Sequence, residues 1–354
     1  MLTSEGAIDL LTGLVSVYSP SGQERPAADY LVAAMRTQGL RAEVDAAGNA
    51  VGTLGEGERE LLLLGHIDTV PGVVPVRREG SLLFGRGTVD AKGPLAAFVA
   101  AAARVGPLPN LRVTVVGAVE EEAATSKGAY HIVGHQAPPI AAIIGEPSAW
   151  DRVTLGYKGR LLVEYERVQP AAHSAGQVRG APEEAVEFWL HVQRWCAAYN
   201  EGREGRFATV DPSLRAIRSS SDGLAERVEM SIGLRLPPGI ELPPFIEALD
   251  AWAGEARVAT RGYEQPYHGS RRTPLAGAFL AAIRAAGGTP AFVNKTGTSD
   301  MNVLGAHWAC PLVAYGPGDS ALDHTPHEHV DLDEYLRAID VLERVIRRVA
   351  DAGV

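Results

Sequence analysis

Three apolar runs in the first half of the chain each end in residues able to hold a proton or a metal ion. This repetition constrains the fold more than any other feature. Leu61–Leu64 leads to His66 and Asp68, Val113–Val119 leads to Glu120, Glu121 and Glu122, and Ile140–Ile144 leads to Glu146. Short apolar runs of this kind read as strands buried on both faces. An Ala-rich segment, 94–104, reads as a helix between the first and second of them. Strand–helix–strand alternation implies an α/β sheet, whose sites gather where the strands end. Ending a buried strand in three like charges is costly unless a cation or a shared proton relieves the repulsion. Each feature alone is equally a solvated turn; three on consecutive strands point to one shared site.

The flanking pattern fits a two-domain chain, as 354 residues allow. Residues 4–18 and 24–38 have helical periodicity, broken at Pro20-Ser21-Gly22. Beyond residue 155 the character changes. Alternating strands are expected at 156–168 and 226–236, helices at 182–199 and 241–252, and a strand near 256–262. This β-α-β-α-β block reads as a smaller inserted domain, 156–265. The α/β pattern then resumes with a helix at 274–286, strands near 290–294 and 311–315, and a closing helix at 332–350. Residues 1–155 and 266–354 are therefore expected to form one interrupted domain.

Composition narrows the function classes. The formal net charge of -10 argues against nucleic-acid binding, which needs Lys and Arg to neutralise phosphates, and against attraction to an acidic membrane surface. No run approaches ~18 uninterrupted apolar residues, and the first residues lack a basic leader followed by an apolar stretch. A cytoplasmic location is expected. Cys196 and Cys310, far apart in apolar settings, read as buried free thiols.

Two further segments carry chemistry. Gly85 to Gly93 brackets Asp90 with glycines just before a helix; its spacing fits neither a Walker loop nor a dinucleotide fingerprint. Asp323 to His329 holds three histidines in a loop, with a spacing that matches no structural zinc pattern. One of these histidines is expected to join the distant segments.

In this order, Gly65 to Pro71, Gly85 to Gly93, Glu120-Glu121-Glu122, Gly145-Glu146-Pro147-Ser148 and His324 to Glu328 resemble the metal-dependent amidohydrolase and peptidase family of succinyl-diaminopimelate desuccinylase, acetylornithine deacetylase and carboxypeptidase G. The match runs across nearly the whole chain. The resemblance implies a zinc-peptidase-like three-layer α/β catalytic domain with an inserted ferredoxin-like α+β domain that acts as lid and dimerisation surface of a homodimer. It implies two divalent metal ions, zinc with cobalt as the alternative. His66 and Glu146 would hold one, Glu122 and His324 the other, and Asp90 would bridge them. Glu121 would be the general base and Asp68 would orient a ligand. His173 would bind the developing oxyanion, Arg235 a substrate carboxylate, and Thr298 and Lys158 would face the substrate. The resemblance also implies a cis Asp90–Ala91 peptide. The family usually has Asp where this chain has Glu120, outside the liganding pair.

The local wording, Val119 to Ala129, Gly145 to Ser148 and Asn294 to Asn302, is most similar to the branch that releases lysine or ornithine from a small amino-group carrier protein. By that resemblance the bond cut is the amide between the carrier's terminal glutamate side chain and the amino acid's α-amino group. Carriers of this branch are acidic, so a chain of net charge -10 needs a local basic rim to receive one; Arg271 and Arg272, with Arg215 and Arg218, are the expected candidates. The alternatives are a small-molecule deacylase and a metal-stabilised module without activity.

Overall fold

The computed structural model describes residues 2–123, 125–173 and 179–351. The chain divides into two compact units, one formed by 1–156, 268–294 and 299–354, the other by 157–267 and 295–298.

The first unit opens with helices α1 (Ser4–Ser16) and α2 (Arg25–Thr37) and strands β1 (Arg41–Val44), β2 (Ala50–Leu54) and β3 (Glu60–His66). A small hairpin, β4 (Arg77–Glu79) and β5 (Leu82–Phe84), precedes α3 (Lys92–Val105), β6 (Arg112–Ala118), α4 (Lys127–His135), β7 (Ala141–Gly145) and β8 (Arg152–Tyr157). The second unit holds β9 (Gly159–Pro170), α5 (Ala181–Asn200), β10 (Asp211–Ser221), β11 (Ala225–Leu236), α6 (Pro243–Ala253) and β12 (Arg257–Glu264). The chain returns through β13 (Tyr267–His268), α7 (Pro274–Ala285), β14 (Ala291–Lys295), α8 (Asp300–His307), β15 (Leu312–Ala314), β16 (His329–Asp331) and α9 (Leu332–Asp351).

The main sheet runs β1-β2-β6-β3-β7-β15-β8. Its centre is parallel: Leu61 pairs with Val113 of β6 on one side and Ala141 of β7 on the other, and the register continues to His66–Ala118 and Gly65–Gly145. The three expected strands are thus neighbours that end at one edge, which is why their terminal residues meet. Both faces of β3 and β7 are covered, as their continuous apolar runs require. On one face lies α3, whose residues from Lys92 to Ala102 are all buried. A helix that is small and apolar all round has no solvent face, and α9 packs on its far side. In α9, Tyr335, Ala338, Ile339, Leu342, Val345, Ile346 and Val349 are buried at steps of three and four. Each large member contributes about 1.5–3 kcal/mol by leaving water.

The close approach of α3 has a specific cause. Gly65 and Gly145 face each other at the strand ends, and a Cβ on Gly145 would lie 2.9 Å from Phe98 Cε2 and 3.0 Å from Gly65 Cα. Glycine at this pair lets the aromatic ring of α3 sit against the backbone.

The second unit has the order β-α-β-β-α-β and an antiparallel sheet β10-β11-β9-β12, the ferredoxin-like arrangement. This corrects the β-α-β-α-β reading of the sequence by one strand. β10 is an edge strand with no buried residue, so it carries no apolar alternation to read. Its place comes from backbone pairing with β11, from Asp211–Arg235 to Ser221–Glu226. The core of this unit is Val163, Phe188, Val192, Val228, Ile232 and their neighbours. Among the described residues no helix is long and apolar enough to cross a membrane. Cys196 is buried and free; Cys310 is half-buried and free.

Candidate metal centre

The carboxyl ends of β3, β6 and β7 and the loop before β16 bring polar side chains to one place. His66 is the last residue of β3 and only 2% exposed. Its Nδ1 lies 3.0 Å from the backbone oxygen of Asp68, which can only accept, so Nδ1 carries the proton. Nε2 faces Asp90 Oδ1 at 3.0 Å. The other Asp90 oxygen, Oδ2, lies 3.0 Å from His324 Nε2, and that nitrogen is also 2.9 Å from Glu122 Oε1. Asp90 therefore sits between two imidazoles, one oxygen to each. Its peptide bond to Ala91 is cis. His66, Asp90 and Glu122 offer donor atoms that all lie within 4.8 Å of one another.

Backbone conformation at the site is unusual. Glu120 and His324 both have φ of 60°, in the left-handed region that costs a non-glycine residue of order 1–3 kcal/mol. Hydrogen bonds hold the first of these turns. Asp68, fully buried, accepts the Glu121 amide on Oδ1 at 3.1 Å and the Glu122 amide on Oδ2 at 3.1 Å. Ser21 Oγ donates to the same Oδ2 at 2.6 Å. Glu24 Oε1 takes the Glu120 amide at 3.3 Å. Asp68 is thus more than a partner of the His66 ring, whose Nδ1 is 3.5 Å from Oδ1. It sets the turn that carries Glu121 and Glu122.

The electrostatics call for positive charge. Burial pushes the Glu121 carboxyl well above the usual range, and Glu146, Asp300 and Glu122 add to it against an opposing pull from His66. Glu146, 8% exposed, is raised well above its range by burial and by Asp90, Asp323 and Asp300. Burial and Asp90 raise Glu122, although His324 opposes them. Burial would lower the His66 imidazole, yet its bonds to Asp68 and Asp90 leave it well above its ordinary value. His324, half-exposed, is raised to about 10 by hydrogen bonds to Asp90 and Glu122. Burial works against ionisation of Asp90, but His324 and His66 outweigh it and hold the carboxyl below its usual range. The cluster takes up protons wherever it can, and a divalent cation would relieve the same repulsion. Imidazole and carboxylate donors in this number fit zinc and its transition-metal neighbours.

The remaining predicted residues belong to other segments of the chain. His327 is exposed; His329 is half-buried, its ring 4.8 Å from that of Phe84. Lys158, Arg235 and Thr298 belong to the second unit. There Arg235 Nη1 donates to Thr298 Oγ1 at 3.0 Å, and the buried Lys158 ammonium is paired with Asp211 Oδ2 at 2.7 Å. His173 is an exposed residue of the same unit; 174–178, which complete its motif, lie outside the described residues. Arg271, Arg272, Arg215 and Arg218 are exposed, the first pair before α7 and the second on β10. Glu328 had no expected role, yet it is fully buried and bonded to the Asp90 loop. Only its apolar surroundings in sequence, with Val330 and Leu332 close behind, hinted at that.

The profile of peptidase family M20/M25/M40 matches residues 62–348, a span that contains every segment of this cluster. The chain belongs to that family. Its M20 relatives include the LysW-lysine hydrolase of Deinococcus radiodurans, 44% identical over 98% of each chain. The putative LysW-lysine/LysW-ornithine hydrolase of Thermococcus kodakarensis is 41% identical over 99% of this chain and 94% of its own. Among solved structures, an M20 family metallo-carboxypeptidase from Sulfolobus solfataricus superposes with a TM-score of 0.79 at 17% identity, covering 97% of this chain and 99% of its own. Aminopeptidase PepT from Bacillus cereus gives 0.75 at 17% identity, over 99% and 100%. These structures share the α/β fold with its inserted domain.

Proposed function

We propose that this M20 protein is a metal-dependent amidohydrolase that releases lysine, or ornithine, from the LysW carrier protein. The observation that carries the reaction class is the Asp90 carboxylate held between His66 and His324 with Glu121, Glu122 and Glu146 around it. The substrate reading is supported by the relatives named for LysW-lysine hydrolysis, which match this chain end to end.

In this reading His66, Asp90 and Glu146 would hold one divalent ion and Asp90, Glu122 and His324 would hold a second, zinc with cobalt as the alternative. Bound there, the ions supply positive charge that polarises an amide carbonyl and lowers the pKa of water. Glu121 takes the proton of the attacking water and passes it to the leaving α-amine. Burial raises its affinity for a proton, the direction that favours a general base. Asp68 fixes the turn that aims Glu121 and Glu122. Arg235, steadied by Thr298, binds the carboxylate of the released amino acid, a task suited to a planar guanidinium. His173 donates to the oxyanion, and Lys158 supports the substrate side through its ion pair with Asp211.

The second unit acts as lid and dimerisation surface, a role supported by the outer edge of β10, which pairs with no strand among the described residues. The basic residues Arg271 and Arg272 receive the acidic carrier, and the reaction belongs in the cytoplasm with amino-acid biosynthesis.

The test is direct. Metal-loaded protein is incubated with carrier bearing lysine on its terminal glutamate, beside acetylornithine and succinyl-diaminopimelate, and released amine is quantified. Much faster release from the carrier is expected. Preference for a small acyl amine would keep the metal chemistry and overturn the substrate.

A further inference from the structure

Glu328 is the last residue of the segment that begins with His324, and it is fully buried, at 0% exposure. Its Oε1 accepts three backbone amides, those of Gly87 at 2.9 Å, Val89 at 3.0 Å and Asp90 at 3.2 Å. Its Oε2 accepts from Arg86 Nη1 at 2.8 Å. The Gly85 amide donates to the Glu328 backbone oxygen at 3.2 Å, and His329 then pairs with Phe84 in the β16–β5 ladder. The segment bearing His324 is therefore fastened to the segment bearing Asp90 at Glu328 and His329. One buried carboxylate gathers the amides of the turn.

An ionised carboxylate so deep in the protein persists only when its lone pairs are filled, and here they are filled by the turn that delivers Asp90. One of the three amides is that of Asp90 itself, the residue whose side chain lies between the two imidazoles. His324 stands four residues before Glu328, so this side chain sets the spacing between Asp90 and His324. Asp68 does the same for the turn of Glu121 and Glu122.

We infer that Glu328 is a positioning residue of the metal centre, which holds Asp90 and His324 in register by clamping the amides of residues 87, 89 and 90. The inference rests on Asp90 and His324 being ligands. Removing a partner that orients a ligand typically weakens metal binding 10–100-fold. Glu328→Gln removes the negative charge on which the three amides converge, so their charge-assisted bonds weaken, and it turns an NH2 toward Arg86, so the turn is held less tightly.

The experiment uses the full chain, stripped and reloaded with cobalt(II). Metal affinity is measured by chelator competition, ligand geometry by the visible absorption bands, and folding of the metal-free protein by thermal melting. For Glu328→Gln we expect a cooperative melt, an affinity at least tenfold weaker, shifted bands, and a loss in kcat larger than any change in KM. A folded variant with affinity within twofold of the parent and unchanged bands would overturn the inference. Arg86→Gln removes the ion pair and leaves the amide clamp; its affinity should stay within threefold. A loss there as large as in Glu328→Gln would give the role to the ion pair instead and overturn the assignment. Asp90→Ala, run in parallel, separates the two levels. If it retains its full metal complement, the ligand reading itself fails; if it loses metal while Glu328→Gln does not, only the role of Glu328 fails.

Discussion

Asp68→Asn is the substitution whose effect follows most directly from the geometry. The Asp68 carboxylate receives three donors, the amides of Glu121 and Glu122 and the hydroxyl of Ser21. An asparagine of the same shape has one carbonyl oxygen. Placed where Oδ1 is, that oxygen keeps the Glu121 amide, and the NH2 group then meets Ser21 and the Glu122 amide. The serine hydroxyl can rotate and accept, but the Glu122 amide cannot. One charge-assisted hydrogen bond is lost and one buried donor is stranded, about 3 kcal/mol at the upper end of the range for such a bond. If the turn must hold Glu121 and Glu122 in place during the reaction, that loss appears in the rate, and at ~1.4 kcal/mol per decade it predicts a kcat about 100-fold lower. The assay is steady-state kinetics with metal saturating, with metal content and melting temperature measured on the same preparation. We expect KM within threefold of the parent and an unchanged metal content. A kcat within threefold of the parent, in a folded and metal-replete variant, would refute the clamp argument.

Three other outcomes are expected. Glu121→Gln should keep its metal content and lose 10²–10⁴-fold in turnover, the usual worth of a general base; near-parental turnover would remove Glu121 from that role. Chelation should lower thermal stability, since a ligand at 1,000 times its dissociation constant stabilises the fold by about 4.1 kcal/mol; a melting curve indifferent to chelator and to re-addition of zinc would argue against a metal centre here. Gly145→Ala places a methyl group 2.9 Å from Phe98 Cε2 and 3.0 Å from Gly65 Cα, and should destabilise by about 1–3 kcal/mol. Urea denaturation reads this directly, and an unchanged midpoint would mean that α3 is free to withdraw.

The catalytic sheet was legible because its strands are buried on both faces. Runs such as Leu61–Leu64 and Ile140–Ile144 announce themselves without reference to partners. β10 was not, because its residues lie in solvent and only its backbone is satisfied. The helices α4 and α8, short and mixed in character, were likewise absent from the sequence reading. Among site residues, the family resemblance implied that His66, Asp90, Glu122 and His324 converge, and the fold brings them together. Spacing could not indicate what holds them. The acceptors of backbone amides are set by the path of the chain, so Asp68 was legible only as a neighbour of His66, and Glu328 carried no readable role. Lys158 was expected to face the substrate, and nothing in its neighbourhood along the chain pointed to a buried pair with Asp211.

The position of β15 has a consequence for how the protein is made. It lies between β7 and β8 in the main sheet, and α9 covers α3 from the far side. A nascent chain that has emerged only as far as β14 therefore exposes an unpaired edge of β7 and an uncovered face of α3. At ~5–20 residues per second, Glu146 waits on the order of ten seconds for His324 to leave the ribosome. The segment 157–267, with a core of its own, is complete well before then. About two thirds of the protein must be kept from aggregating while the remaining third is already built, and Glu146 and His324 can meet only once translation is almost over.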